Sequence, residues 1–264
     1  MARSVRSLAF YQLKSEYLMR IQKLGSLLFV AFAASSAAAQ TKAPEPDYAL
    51  AYNIGVTTDY RFRGISQSRL DPAIQGGADF THKSGLYLGF WASSIKWIND
   101  AGGNADAELD FYGGYKGSAG DLGYDLGVLR YQYPSHNLVV SPNTTELYGA
   151  LTFGPVTAKY SHAVTNTFGF ASSRNSGYLD LSATFDLGGG WSVVPHIGHQ
   201  RIAGTGNGVF SYTDYALTVN YDFGNGLVAS AAAIGTDAKK ASYFTPTGKA
   251  TGRDGLVLGL KYNF

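Results

Sequence analysis

Acidic and basic side chains recur at alternate positions in several stretches of this sequence. They are Asp59, Arg61 and Arg63 in TDYRFRG, Asp79 in GADF, Glu108 and Asp110 in ELDF, Asp180 in YLDL and Asp214 in TDYA. In an extended strand, residues two apart share a face, so each group is expected on one common surface. Asp59, Arg61 and Arg63 would stand on one face of the first strand, with Asp79 of the next able to approach them. Charges held this way can form a constriction that selects solutes, as charged rings do in pores. They can equally form a salt-bridged network that ties strands together and selects nothing. Both readings need the same residues.

Covalent and metal chemistry have less to work with. The chain has no Cys, which excludes disulfides, thiolate zinc sites and thiol nucleophiles. Its five His are His82, His136, His162, His196 and His199. His196 and His199 are three apart, so on a strand they face opposite sides and cannot clamp one metal. Ser161 and His162 are adjacent and diverge for the same reason. No GxSxG elbow occurs, nor a phosphate loop or dinucleotide fingerprint. No catalytic residue, metal site or cofactor is expected.

The elements that position these charges are strands. The 264 residues carry a formal net charge of +2, with 33 Gly, 19 Tyr and 15 Phe. No basic run with interleaved aromatics suggests nucleic acid. From Met19, MRIQKLGSLLFVAFAASSAAAQ has a positive start, an apolar stretch too short to span a bilayer and a small-residue cleavage site at Ala37–Ala39. Residues 1–39 are therefore read as an extension plus export signal, with Met19 the expected initiator, and 40–47 as a short periplasmic lead.

From residue 48 onward, period-2 alternation continues to Phe264. Leu50, Tyr52, Ile54, Val56, Tyr60 and Phe62 alternate with polar or small residues, and so do the apolar positions of YLDLSATFDL and DYALTVNYDF. About twelve strands are expected: 48–63, 71–82, 86–95, 107–116, 122–133, 144–153, 156–165, 177–187, 191–201, 211–222, 227–236 and 255–264. Two are less regular. GLYLGFWASSI is apolar on both parities, and YDLGVLRYQY changes phase near Arg130. Short turn-like connections such as HKSG and FGNG alternate with longer ones such as RGISQSRLD. That alternation describes hairpins with short turns at one end and long loops at the other, the plan of a transmembrane up-and-down antiparallel β-barrel with short periplasmic turns and longer extracellular loops. A soluble Greek-key sandwich has no reason to keep it.

In a barrel the polar parity faces a wet lumen and avoids the cost of charge against lipid, roughly 2–4 kcal/mol for Lys or Arg at the midplane. Carboxylates outnumber cations on that parity (Asp59, Asp79, Glu108, Asp110, Glu146, Asp180, Asp186 and Asp214 against Arg61, Arg63, Lys116, Lys159 and Lys261), so any channel is expected to prefer cations weakly. Gly55, Gly114, Ser182, Thr184, Thr218 and Gly259 would leave free volume inside. Aromatics gather at both strand ends: Phe153, Phe185, Trp191, Tyr221, Phe223, Tyr262 and Phe264 by the short turns, Tyr60, Phe62, Trp91, Trp97, Tyr131 and Tyr133 by the long loops. They are expected to form two interfacial girdles.

The segments NIGVTTDYRFRGISQS, GLYLGFWASSI, LDFYGGYKG, LGVLRYQYP and VVPHIGHQ resemble the TorF-type porin family of proteobacterial conserved hypothetical proteins, over most of the chain after residue 40. The resemblance implies an outer-membrane, porin-like barrel and supplies no substrate or catalytic residue. The ending GLVLGLKYNF resembles the assembly signal of bacterial outer-membrane proteins, which implies that Leu258, Leu260, Tyr262 and Phe264 are read by the barrel-assembly machinery. Expected partners are outer-membrane lipid and, during biogenesis, that machinery and periplasmic chaperones. The expected role is passive diffusion of small hydrophilic solutes or ions. The alternative is a non-conducting barrel with a structural or adhesive role, and an enzyme comes third.

Overall fold

The computed structural model describes residues 46–264. The export signal, Met19 and most of the lead lie outside the described residues. Among the described residues twelve strands build a wall: β1 (Tyr48–Thr57), β2 (Ala73–His82), β3 (Leu86–Ser94), β4 (Ala107–Ala119), β5 (Leu122–Gln132), β6 (Thr144–Phe153), β7 (Val156–Ala163), β8 (Gly177–Ala183, resuming at Phe185–Gly188), β9 (Trp191–Arg201), β10 (Tyr212–Asp222), β11 (Leu227–Thr236) and β12 (Gly255–Asn263). Each pairs antiparallel with its neighbours in sequence, and β1 also pairs with β12, so the sheet closes and has no free edge. Phe264 completes the seam: its amide donates to Tyr52 O at 3.0 Å and its carbonyl accepts from Tyr52 N at 2.9 Å.

Alternation decides which side chains face out. On β1 residues 48, 50, 52, 54 and 56 are exposed while those between are half-buried. Leu88, Leu126, Leu151, Leu179, Leu217 and Leu256 carry the same outward apolar face around the ring. Most inward positions are small, polar or tyrosine, with Trp91, Leu129, Ile234 and Val257 among the exceptions. The short connections turn on glycine: Gly85 has φ +98°, and a Cβ there would lie 2.2 Å from Lys116 O.

An aromatic and apolar cluster packs inside the long-loop end of the barrel. Buried Tyr60, Ala73, Ile95, Ile98, Ala105, Tyr131 and Tyr133 pack together, with Phe62, Trp91, Trp97, Leu129, Leu138 and Phe168 against them. This corrects the expected second girdle. Trp91 and Tyr131 stand at inward positions, and Tyr60 and Phe62 belong to a loop that turns into the barrel. The expected girdle at the short turns is on the outer face, where Phe153, Phe185, Trp191, Phe223, Tyr262 and Phe264 are exposed.

The same core explains the two irregular strands. β5 runs in unbroken register against β4 and β6, without a bulge near Arg130. Leu129 and Tyr131 are apolar and inward because they meet the core. Trp91 breaks the pattern of β3 for the same reason. Two further expectations change. Thr184 leaves the ladder and donates its amide to Pro155 O at 2.9 Å. Asp186 is exposed at the short turn, its carboxylate accepting from Gly188 N at 2.8 Å, so it does not face the lumen.

Candidate functional site

The first strand does not reach residue 63. β1 ends at Thr57, and Arg61–Phe62 pair with Ile65–Ser66 as a small hairpin inside the mouth. Its two central residues, Arg63 and Gly64, have φ of +47° and +78°. Positive φ at both central positions is what a type I′ hairpin requires. Gly64 is also a close approach: a Cβ there would sit 2.5 Å from Thr236 Cγ2 and 2.7 Å from Asp214 Cβ. The hairpin tip is therefore pressed against β10 and β11, and only glycine fits.

Asp59 organises the hairpin and is not free to line a passage. Its carboxylate accepts from Ser66 Oγ at 2.5 Å, from Ser68 Oγ at 3.1 Å and from Arg61 Nε. Arg61 also donates to the carbonyls of Gly64, Thr251 and Arg253, joining the hairpin to the loop before β12. Asp79 does not approach this group as expected; it accepts from Tyr112 Oη at 2.6 Å on the wall.

Arg63 crosses the lumen. It donates to Glu146 Oε2 on β6 at 2.6 Å and to Gln200 Oε1 on β9 at 2.6 Å. Its guanidinium lies 4.2 Å from the Tyr178 ring centre and 4.7 Å from that of Phe62. Arg63 and Glu146 side chains are 7% and 2% exposed, so the pair is held away from water. A planar fork between a carboxylate, an amide and two aromatic faces is a use that lysine could not reproduce.

The other charges sit on the wall around this latch. Glu108 accepts from Tyr60 Oη of the inturned loop at 2.6 Å and from Tyr133 Oη at 2.8 Å. Asp110 is buried, and its Oδ1 has no partner among the described residues. Asp214 accepts from Tyr178 Oη at 3.0 Å, and Asp180 pairs with His196 Nε2 at 2.7 Å. Tyr178 lies flat because Gly198 leaves room: a Cβ there would be 2.0 Å from the tyrosine hydroxyl. Arg63, Lys159, Tyr178, Asp180, His196 and Asp214 line a cavity of about 340 Å³ beneath the hairpin. Ser161 is buried inward while His162 bonds Asn175 outside, so the two do not meet. Among the described residues no three His, Asp or Glu side chains are placed to hold a metal ion.

Several of these groups were not on the sequence-derived shortlist. Glu146 was expected inward but not as a site residue; Gln200, Tyr178 and His196 also occupy inward positions, and Asp125 joins them by accepting from Tyr87 Oη at 2.6 Å. Strand parity was the signal that could have found them. Ties outside the wall hold the loop bases. Lys96 Nζ donates to Asp71 Oδ2 at 2.8 Å, and that hydrogen bond holds the Asp71 carboxyl below its usual range. Arg69 pairs with Asp100 and is pushed up by it. Burial pushes the Tyr243 hydroxyl up, so it stays a donor, here to Phe210 O at 2.6 Å.

Comparison with known proteins agrees with the fold. Residues 40–264 match the family described as "Bacterial protein of unknown function (Gcw_chp)". No curated protein matches the sequence. Among solved structures, a KdgM porin in complex with disordered oligogalacturonate superposes with a TM-score of 0.53 at 7% identity, covering 81% of this chain and 98% of that one. A NanC porin superposes with a TM-score of 0.50 at 10% identity, covering 82% and 99%. At such identities the likeness is one of fold: a twelve-stranded antiparallel closed barrel resembling outer-membrane porins. The chain belongs to the Gcw_chp family.

Proposed function

We propose that this Gcw_chp chain is an outer-membrane, porin-like channel of the TorF type, for passive diffusion of small hydrophilic solutes or ions. In this reading the inturned hairpin sets its constriction. The observation that carries the reading is Arg63, which spans the lumen from the hairpin tip to Glu146 and Gln200. Arg63 bridges the barrel directly over a polar cavity, the placement a constriction requires. The outward apolar face fits acyl chains, and the Tyr52–Phe264 seam leaves no edge exposed to lipid. Leu258, Leu260, Tyr262 and Phe264 lie on that outer face, where assembly machinery can read them. The separation of Ser161 from His162 leaves the enzyme reading without its best pair.

With the Asp59–Arg61 pair engaged in the hairpin, inward-facing Asp79, Glu108, Asp110, Asp125, Glu146, Asp180 and Asp214 outnumber Arg63, Lys116, Lys159 and Lys261. Weak cation preference follows. The test is single-channel conductance of protein purified from outer membranes, in planar bilayers. Wild type is expected to give small, salt-dependent steps with a reversal potential on the cation side, and Arg63→Ala larger steps. A reversal potential on the anion side would overturn the selectivity. Silence from both folded proteins would overturn the channel. It would favour the second reading, a non-conducting barrel acting through its loops, which the packed aromatic core of the mouth supports.

A further inference from the structure

We propose that the outer mouth contains a binding site for a neutral, mainly apolar small molecule bearing a hydrogen-bonding group, the chemistry of an aromatic alcohol. Above the hairpin lies a second cavity of about 620 Å³, with Phe62 a wall common to it and to the lumen cavity. Its size falls within the roughly 300–1,000 Å³ of small-molecule sites. It is built by the hairpin and five long loops, so it opens on the side opposite the short turns.

The lining selects the class of ligand. Trp97, Phe168, Phe170, Tyr212 and Tyr243 join Phe62 as its aromatic walls. At the rim Val139 is fully exposed and Phe244 is 55% exposed, although neither lies on the wall's outer apolar face. Apolar groups left toward water in this way are stabilised by a ligand that covers them. Asp100 is the sole Asp, Glu, Lys, Arg or His in the lining, and Arg69 already holds it. An ion bound here would lose hydration and gain no counter-charge. A neutral ligand loses little.

Three polar groups are free to orient it, one of them the Trp97 indole N–H, which is buried without a partner among the described residues. Gln67 and Tyr212 are 8% and 6% exposed and both line the cavity. The Gln67 amide nitrogen donates to Ile65 O at 3.0 Å, which leaves its amide oxygen without a donor among the described residues. The Tyr212 hydroxyl has no hydrogen-bond partner among them either. An acceptor and a hydroxyl between aromatic faces suit a flat molecule with an O–H group. A channel for hydrophilic solutes has no use for such a pocket, so the site is an activity separate from conduction.

The test is equilibrium dialysis of 2-naphthol against the full protein in lipid nanodiscs, with empty nanodiscs as the partition baseline. The charged analogue is naphthalene-2-sulfonate. Phe244→Asp places a charge at the exposed rim, and Ala101→Trp fills the cavity from an exposed loop position. Both are checked for folding by heat-modifiable migration. Saturable binding of 2-naphthol at one per barrel is expected, weakened tenfold or more in both variants. The sulfonate is expected to bind at least tenfold more weakly. Uptake equal to that of empty nanodiscs, equal uptake by wild type and both folded variants, or equal affinity for the sulfonate would overturn the proposal.

Discussion

Arg63 concentrates the energetics of the mouth in one side chain. Taking a guanidinium and a carboxylate out of water is costly, and their mutual attraction offsets the cost only while both are present and hydrogen-bonded. Arg63→Ala removes one partner and leaves Glu146, with a side chain 2% exposed, buried without a cation. Loss of a buried partner costs about 3–5 kcal/mol, so urea unfolding of the variant in vesicles should show a destabilisation of that order. Adding Glu146→Gln removes the stranded charge and should restore most of the stability while keeping the enlarged conductance. If the double variant is no more stable than Arg63→Ala, the loss lies in the cation–aromatic stacking with Phe62 and Tyr178. The sequence marked Arg63 as chemical but placed it on a strand. Its role depends on Glu146 and Gln200, 83 and 137 residues away, contacts that no local pattern encodes.

At the level of elements, the wall was legible and the inturned hairpin was not. Period-2 alternation located the wall strands to within three residues at every end except that of β1, because most have one apolar and one polar or small face. The alternation also ran on through Tyr60 and Phe62, which hid the end of β1 at Thr57. The informative signal was FRGI, a two-residue turn between apolar residues, but a type I′ turn with arginine at its first central position is not an obvious reading. Loop bases are pinned by exposed ion pairs, and the Lys96–Asp71 tie is expected to give a pH dependence. Because the Asp71 carboxyl is held low in the folded protein, its contribution is present above its unfolded value of about 4 and is lost as pH falls through the depressed folded value. Hydrogen-exchange protection of residues 66–70 should therefore fall on acidification below that range. Lys96→Met should lack this dependence. The effect should be small and screened by salt, since both side chains are largely exposed.

For the whole molecule, one polarity rule governs both faces of the wall, and two adjacent residues can test it. Leu258 and Val257 are neighbours near the middle of β12, and both are in register with alanines of β11: Leu258 opposite Ala231, Val257 opposite Ala232. Leu258 is 47% exposed on the outer face, whereas Val257 points inward beside buried Ala232. In a soluble barrel an arginine at position 258 would reach water freely, and the crowded inward position would suffer more. In a bilayer the order reverses, because charge at the midplane costs about 2–4 kcal/mol against lipid while a lumen position keeps access to water. Leu258→Arg should therefore destabilise the protein refolded in vesicles by that amount in urea titrations, and Val257→Arg by less. In detergent micelles the Leu258→Arg penalty should shrink, because water and headgroups can follow the side chain. Equal penalties for the two variants in vesicles would mean that the outer face does not meet hydrocarbon, and the barrel would have to bury its apolar band against protein instead.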